Sequence, residues 1–502
     1  MSAGGGLWRD ASLAGLLLGL ASCALWIALA RCYREKLYAD VVSYLSQTHF
    51  PFGESRNSLG WELQLWDHEA IAELSRHLGV PGFIVYTSSL SSVFEAPVFR
   101  SKDDAQQSAI EAAPVSRLIE RRMDAAGPSP NIVMLQLESG LNPNWAFRLK
   151  QEFQSSLFSR GPHSRILAPL RTNIVGGGSW VSEFEALVGI DARAFGYLGY
   201  YAHTSVAPFV AGGLPRRLVE AGYKTSAYYP ATGDFYNTRA AYGNYGFQHF
   251  FDSRDLALQE EWHSTDEQLV RAALQHIKAD CGAPQFHFLV TNGMHSPYKV
   301  RRLRDEHEAN GFVDSNDPAL NGQLRTYLRL LKAAESAVDL IVERLERMQS
   351  ETGRPYVLII YGDHQPHAFT ATSQVATADF DSVRTDAPVN ETFVHLISSD
   401  ASVQFEDVGV LPVALMPTLL SAYAMRPPTL YANFNLSMLE RFGANFLPNY
   451  SFGGEFGTPD GVAGIRPREA QDGSRSPVNG DLFAAQAQYF RDVRRSGILK
   501  PT

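Results

Sequence analysis

The stretch NIVMLQL, residues 131–137, is a short, largely apolar run that ends directly before an acidic residue, Glu138. Other short apolar runs follow it along the chain: KTSAYYP at 224–230, FHFLVT at 286–291 and YVLIIY at 356–361. Such runs, when longer stretches separate them, are typical of buried parallel strands. One intervening stretch, residues 327–348, has the period and length of an amphipathic helix. The sequence therefore predicts an α/β fold with a central, mostly parallel sheet flanked by helices.

Ionisable residues come just after three of the predicted strands. Glu138 follows Leu137 directly, His295 lies four residues after Thr291, and Asp363 and His364 follow the run that ends at 361. Ligands of open α/β sheets bind outside the carboxyl ends of the strands. We therefore expect these side chains to meet at one edge of the sheet. Each of them alone is equally compatible with a turn or a solvated loop, so only their shared position argues for chemistry.

A serine at position 179 stands between three glycines and a predicted helix, in the sequence GGGSWVSEFEALVG at 176–189. One interpretation is that Ser179 caps the helix, which is a common arrangement. The other is that Ser179 is a nucleophile, presented where the glycines allow close approach and the helix N-terminus favours an anion such as a phosphoryl group. The stretch matches neither the G-x-S-x-G nucleophile elbow nor the phosphate-binding P-loop.

A serine hydroxyl needs an adjacent base, a lowered pKa or a metal before it becomes a good nucleophile. Glu138, the Asp363–His364 pair and the Ser179 hydroxyl form an oxygen and nitrogen donor set that suits a divalent cation such as Mn²⁺ or Zn²⁺. A cation bound there would activate the hydroxyl, because metals lower the pKa of bound water from about 15.7 to about 7. His367 is a further candidate ligand, for a second metal, although a solvated role fits it better.

An uncharged segment lies near the start of the chain. The 20 residues between Asp10 and Arg31 carry no charge, which is about the number that a helix needs to cross a bilayer core of roughly 30 Å. The preferred interpretation is one transmembrane anchor at 11–30. The alternatives are a signal peptide cleaved after the ALA at 28–30, a lipidated Cys23 and a buried helix. The basic residues after the segment favour a cytoplasmic body, but that rule is weak when a long domain follows.

The sequence resembles the sulfatase-like branch of the alkaline-phosphatase superfamily. The resemblance rests on the chain order of Glu138, Ser179, His295 and Asp363–His364. Within that branch the sequence is most similar to the lipoteichoic acid synthase and phosphoglycerol transferase family. The resemblance covers about residues 130–370. It is carried by the stretches IVMLQLESG, GGGSWVSEFEALVG, GDFYNTRAAYGNYGFQHFFD, TNGMHSPY and YGDHQP.

The resemblance implies a role for each matching residue. Glu138, Ser179, Asp363 and His364 would hold one divalent cation, with Mn²⁺ favoured and Zn²⁺ or Mg²⁺ as alternatives, and Ser179 would also be the nucleophile. The residues that would bind the substrate are His295, at the phosphate group, and Tyr236 with Arg239, at the head group. The chain departs from the family at three places. One extra residue precedes Arg239, the stretch YYPATGD at 228–234 stands where the family commonly has a histidine, and Trp180–Val181 stands where the family often has Ser-Asp.

The resemblance also divides the chain. Residues 31–129 are interpreted as a juxtamembrane and linker region that ends at the linker signal AAGPSP, residues 130–450 as a sulfatase-like catalytic domain, and 451–502 as a C-terminal loop and helix.

The net charge of −9, without a Lys/Arg-rich run in the body, gives no electrostatic footprint for nucleic acid. Cys281 is the one cysteine of that body, so an internal disulfide there is excluded.

The predicted function is the transfer of a phosphoglycerol group from a phospholipid donor to a glycan acceptor, through a phosphoseryl intermediate. Family members act outside the cytoplasmic membrane, so we expect a single-pass membrane protein with a periplasmic or extracellular body. Four alternatives stay open. They are a phosphoethanolamine transferase, whose usual disulfides one cysteine cannot make; a phosphodiesterase; a sulfatase, whose Cys/Ser-x-Pro-x-Arg signature is absent; and a non-catalytic glycan-binding relative.

Overall fold

The computed structural model describes residues 119–121, 128–147, 149, 151–174, 176–192, 197–258, 264–296, 298, 318–366, 391–401, 403–405, 410–417 and 419–420. The predicted anchor at 11–30, most of the region 31–129, the tail at 451–502 and His367 lie outside these residues. Among the helices that are described, none is both long enough and apolar enough to cross a membrane.

The strands are β1 (Ile119–Arg121), β2 (Asn131–Leu137), β3 (Ser164–Arg171), β4 (Lys224–Tyr228), β5 (His249–Phe251), β6 (Gln285–Val290), β7 (Tyr356–Gly362), β8 (Glu391–Ser398), β9 (Val403–Phe405) and β10 (Leu411–Pro412). The α-helices are α1 (Pro143–Ala146), α2 (Ser179–Val188), α3 (Tyr197–Tyr200), α4 (Leu214–Glu220), α5 (Thr238–Tyr245), α6 (Asp266–Ala273) and α7 (Pro318–Thr352). Short 3₁₀ turns lie at Ser156–Phe158, Ala207–Phe209, Phe235–Asn237 and Val413–Leu415, and a π-helical turn lies at Ala202–Val206.

Eight strands form the central sheet, in the order β10-β3-β8-β7-β2-β6-β4-β5, while β1 and β9 pair in a separate two-stranded sheet. Every pairing in the central sheet is parallel except the two that β8 makes, with β3 and with β7. Strand β8 therefore runs against its neighbours. The prediction of an α/β fold with a mostly parallel sheet is confirmed, and the four apolar runs correspond to β2, β4, β6 and β7.

Both faces of the central strands are covered, as their continuous apolar sequence predicts. All seven residues of β2 and all seven of β7 are buried. Helix α7 belongs to the core on one side, where Leu328, Leu331 and Ile341 share an apolar cluster with Val133 and Leu135 of β2. This packing fixes β2 and β7 side by side, and the candidate site lies just beyond their carboxyl ends.

Candidate active site

The register of β2 and β7 decides where the site begins. Leu137, the last residue of β2, lies opposite Gly362, the last residue of β7. Glu138 and Asp363 therefore leave the sheet next to each other, and His364 follows. The three side chains are buried and offer ligand atoms within 4.8 Å of one another. Their predicted meeting at one edge of the sheet is confirmed.

A backbone contact makes this approach possible. A Cβ atom on Gly362 would lie 1.7 Å from the carbonyl oxygen of Gly140, so only glycine fits at the end of β7. On the other side of the contact, Ser139 adopts a left-handed backbone with φ 52° and donates its N–H to Asp363 Oδ1 at 2.8 Å. Tyr327 of α7 donates its hydroxyl to the Ser139 carbonyl oxygen at 2.8 Å. The turn after β2 is thus held from the sheet and from α7.

Ser179 reaches this cluster from a more distant strand, β3. The loop after β3 contains Gly176, Gly177 and Gly178, with φ values of 70°, 149° and 85°, a region that glycine adopts without steric cost. The N-cap of α2 is Gly178, without a side-chain cap, and Ser179 is the first helical residue. Its hydroxyl donates to Glu138 Oε2 at 3.1 Å and lies 3.4 Å from His364 Nε2. The helix-cap interpretation is therefore wrong.

Hydroxyl groups around the cluster hold Glu138 and Asp363 in position by hydrogen bonds. Ser139 Oγ donates to Glu138 Oε1 at 2.8 Å, and Thr291 Oγ1, just after β6, accepts the Glu138 N–H at 3.1 Å. Ser182 Oγ, one turn into α2, donates to the Asp363 carbonyl oxygen at 2.7 Å. Sequence reasoning did not identify these three residues. Ser139 and Thr291 adjoin predicted strand ends, but their partners are set by the sheet register and not by local sequence.

The electrostatics of the cluster suit a cation. Burial raises the pKa of Asp363 to about 7, the Glu138 carboxylate adds to that rise, and His364 opposes it. Burial acts to lower the pKa of His364, but the Asp363 and Glu138 carboxylates outweigh it and raise that pKa. Asp363 Oδ2 is buried without a hydrogen-bond partner, although His364 Nε2 lies 3.5 Å away. Two buried carboxylates, an imidazole nitrogen and a hydroxyl, with one carboxylate oxygen unsatisfied, fit a single divalent cation.

His295 lies beyond the carboxyl end of β6, the strand next to β2. Its imidazole is half-buried, and Nδ1 lies 2.6 Å from the Ser296 carbonyl oxygen. A backbone carbonyl can only accept, so Nδ1 carries the proton in that hydrogen bond. The structure thus places the predicted phosphate-binding histidine at the same edge of the sheet as Glu138.

Tyr236 lies beside the first turn of α2 through an aromatic contact. Its ring stacks on Trp180, the residue after Ser179, with centroids 3.6 Å apart and planes 17° apart. Trp180 departs from the family pattern, and this stack gives it a partner. The two residues are far apart in sequence, so no local pattern predicted the contact.

Arg239 lies in α5 and forms ion pairs. Its Nη2 lies 2.6 Å from Asp252 Oδ2 and 3.3 Å from Asp255 Oδ2, and its guanidinium sits over the Phe250 ring at 4.8 Å. Burial acts to raise the pKa of Asp252, but backbone N–H groups, beginning with that of Gly233, and Arg239 outweigh it and hold that pKa at about 2. The predicted head-group arginine is therefore held by carboxylates in this structure.

A family model described as Sulfatase matches residues 168–395, a range that contains Ser179, His295, Asp363 and His364. Glu138 precedes the matched range and belongs to the same central sheet through β2. The resemblance to the alkaline-phosphatase superfamily is confirmed.

Solved structures are similar to this chain in fold. The lipoteichoic acid synthase LtaP from Listeria monocytogenes matches with a TM-score of 0.52 at 15% identity, over 74% of this chain and 93% of that chain. The phosphoglycerol transferase GacH from Streptococcus pyogenes, solved in complex with sn-glycerol-1-phosphate, matches with a TM-score of 0.51 at 14% identity, over 87% of this chain and 98% of that chain.

An uncharacterized protein of Haemophilus influenzae is 28% identical over 248 residues, which make up 47% of this chain and 44% of that protein. The chain thus spans less than half the length of the curated relative that it matches.

Proposed function

We propose that this protein is a membrane-anchored phosphotransferase that moves a phosphoglycerol group from a phospholipid to a glycan on the outer side of the cytoplasmic membrane. The observation that carries the proposal is the Ser179 hydroxyl, which donates to Glu138 and faces His364 at the N-terminus of α2. Folds like that of LtaP and GacH support the substrate class.

The reaction divides into two displacements at phosphorus. Ser179 Oγ first bonds to the phosphorus of the lipid head group, and the bond from phosphorus to the diacylglycerol oxygen breaks. The serine proton leaves with the diacylglycerol hydroxyl. A glycan hydroxyl then attacks the phosphoseryl group, the Oγ–P bond breaks and Ser179 recovers a proton.

The residues of the chain supply position and charge. Glu138 and His364 orient the Ser179 hydroxyl, while the first N–H groups of α2 favour the anionic phosphoryl group. A divalent cation held by Glu138, Ser179, Asp363 and His364 would supply activation of the hydroxyl and neutralisation of phosphoryl charge. We assign His295 to the phosphate group, and Tyr236 with Arg239 to the head group. Positioning and charge neutralisation of this kind are the main contributions to phosphoryl transfer.

The test is release of diacylglycerol by the full-length chain in the presence of Mn²⁺ and phosphatidylglycerol vesicles. Replacing Ser179 with alanine is expected to reduce release by at least about 10³-fold, because loss of a nucleophile removes the covalent route. Ser350→Ala, which removes an exposed hydroxyl from α7, is the matched control and is expected to have no effect. Undiminished release by Ser179→Ala would overturn the proposal.

A parallel assay separates the neighbouring functions. Release from phosphatidylethanolamine, with none from phosphatidylglycerol, would replace the donor by its ethanolamine counterpart. Free glycerol phosphate that forms at the same rate with and without glycans would indicate a hydrolase. A chain that binds glycans but releases diacylglycerol from neither lipid would be a non-catalytic relative.

A further inference from the structure

Three aromatic side chains surround the Gly178–Ser179 step of the backbone. A Cβ atom on Gly178 would lie 3.1 Å from Tyr200 Cε2, so the Tyr200 ring lies directly over that glycine. Trp180 packs edge-on against Tyr200, with centroids 5.6 Å apart, and donates its indole N–H to the Tyr200 carbonyl oxygen. Trp180 also stacks on Tyr236. The indole is thus held at a fixed angle right beside the nucleophile.

The backbone that carries Tyr236 is strained. Tyr236 and Asn237 have φ values of 46° and 60°, in the left-handed region that non-glycine residues rarely adopt. Asn237 Nδ2 donates to the His203 carbonyl oxygen at 3.1 Å, which connects this turn to the π-helical turn Ala202–Val206. Strained residues persist only where their surroundings determine the conformation, and they cluster at ligand sites.

Simple core packing does not account for this arrangement. The Tyr236 side chain stays 38% exposed, so the stack buries only part of the ring. An aromatic pair that serves only the core would be fully buried and would not need two consecutive left-handed residues. The exposed stack joins the first turn of α2, which begins at Ser179, to the turn that precedes α5, the helix of Arg239.

We infer that Trp180 is a positioning residue that determines which head group the site accepts, by holding the Tyr236 ring in place beside Ser179. This inference rests on the proposed function and adds to it a residue that the family pattern does not contain. Without the indole, Tyr236 is free to leave its strained conformation, and the fraction of molecules ready to bind a head group falls. Apparent affinity falls by the same fraction. The phosphate part of the ligand is held by other residues and is not affected.

The test compares three ligands by calorimetry on the full-length chain with Mn²⁺: sn-glycerol-1-phosphate, phosphoethanolamine and inorganic phosphate. For Trp180→Ala we expect about tenfold weaker binding of the preferred head-group ester and a change of less than about twofold for inorganic phosphate. Trp180→Phe keeps a ring that stacks, so it is expected to restore affinity to within about threefold of the unmodified chain. Phe209→Ala removes another exposed aromatic ring, 46% exposed, and should change none of the affinities.

Equal weakening of all three ligands in Trp180→Ala would overturn the inference, because it would indicate general damage to the site. Unchanged affinity for both esters, or no measurable affinity for either ester in the unmodified chain, would overturn it as well. Failure of the proposed function has a different signature, since it is read from diacylglycerol release by the unmodified chain and not from these affinities.

Discussion

Gly362 has no Cβ atom, and this allows Glu138 to lie close to Asp363 and His364. A Cβ atom there would lie 1.7 Å from the Gly140 carbonyl oxygen, and that atom belongs to the backbone, which cannot rotate away. We therefore predict that Gly362→Ala destabilises the protein by about 3 kcal/mol or more, and that it separates Glu138 from Asp363. Urea unfolding followed by circular dichroism measures the first effect, and Mn²⁺ titration measures the second.

Gly322 provides the matched control for this substitution. It lies in α7, and a Cβ atom there would meet no atom within 4 Å apart from its chain neighbours and the backbone of its own helix. Gly322→Ala is expected to stabilise the protein by up to about 1 kcal/mol, because alanine has the higher helix propensity. Similar stabilities for the two alanine variants would contradict the close approach at Gly362.

Glu138 offers a carboxylate oxygen to the candidate ligand cluster. We predict that Glu138→Gln abolishes the stabilisation by Mn²⁺, about 2.7 kcal/mol at 100 times the dissociation constant for the unmodified chain, because the change removes a proposed ligand. The difference between thermal unfolding with EDTA and with Mn²⁺ measures this effect.

Glu267→Gln is the control for that prediction, since Glu267 pairs with Arg271 on α6 and not with the cluster. It should leave the Mn²⁺-dependent shift intact. A Glu138→Gln protein that Mn²⁺ stabilises as strongly as the unmodified chain would show that this carboxylate is not a ligand.

The meeting of Glu138, Asp363 and His364 was predictable from the sequence because adjacent parallel strands end at one edge, and apolar runs mark those ends. The stack of Trp180 on Tyr236 and the ion pairs of Arg239 were not predictable. Each depends on how a loop returns to the sheet, and such contacts have no periodicity that sequence can reveal.

Among the elements, helix α2 connects Ser179 to the loop of Asp363 and His364. Ser182 lies three residues after Ser179 and donates its hydroxyl to the Asp363 carbonyl oxygen. Removing this hydroxyl leaves a buried acceptor without its partner, at a cost of about 1–3 kcal/mol. We predict that Ser182→Ala lowers the free energy of unfolding by this amount and slows diacylglycerol release about tenfold, because the first turn of α2 is no longer held against Asp363.

Unfolding in urea and the rate of release measure the two effects together. A release rate equal to that of the unmodified chain, with stability lowered, would assign Ser182 to folding alone. Ser350→Ala on α7 is again the matched control, since its hydroxyl bonds to the Glu346 carbonyl oxygen of its own helix.

The elements that the sequence did not predict, or predicted only in part, lack the continuous or periodic apolar pattern that marks the others. Strand β3 alternates between buried and partly exposed residues and contains Pro169, so it lacks the continuous apolar run of β2. Strand β8 is antiparallel, and its position between β3 and β7 depends on pairing with distant residues. Helix α7 extends from 318 to 352, beyond the predicted 327–348, because its ends lack the apolar periodicity that marks its centre.

Across the whole chain, stability depends on pH through a buried acidic residue of α2, Glu183. Burial raises the pKa of Glu183 from 4.5 to about 8, although a hydrogen bond from the Tyr242 hydroxyl, 2.8 Å long, opposes the rise. His203 Nε2 lies 3.6 Å from Glu183 Oε2, and burial lowers the pKa of this histidine to about 3. Both side chains are therefore neutral near pH 7.

The two groups act in different pH windows. A raised pKa means that the folded state holds a proton that the unfolded state has lost, so the contribution of Glu183 is full below pH 4.5 and is lost as pH rises towards 8. A lowered pKa has the reverse effect, so the contribution of His203 is full above pH 6.5 and is lost as pH falls towards 3. The window from pH 6.5 to 8 therefore reports on Glu183 and not on His203.

We predict that Glu183→Gln removes this loss of stability. Glutamine keeps an acceptor for Tyr242 and has no charge. The free energy of unfolding of the variant should therefore rise relative to that of the unmodified chain as pH rises from 4.5 to 8. The rise is a few kcal/mol at most, since each unit of pKa difference corresponds to about 1.4 kcal/mol. Urea unfolding at pH 5, 6, 7 and 8 measures the difference, and Glu220→Gln, at an exposed position of α4, is the control. A constant difference between the two chains across this range would contradict the prediction, because it would mean that the pKa of Glu183 does not change on unfolding.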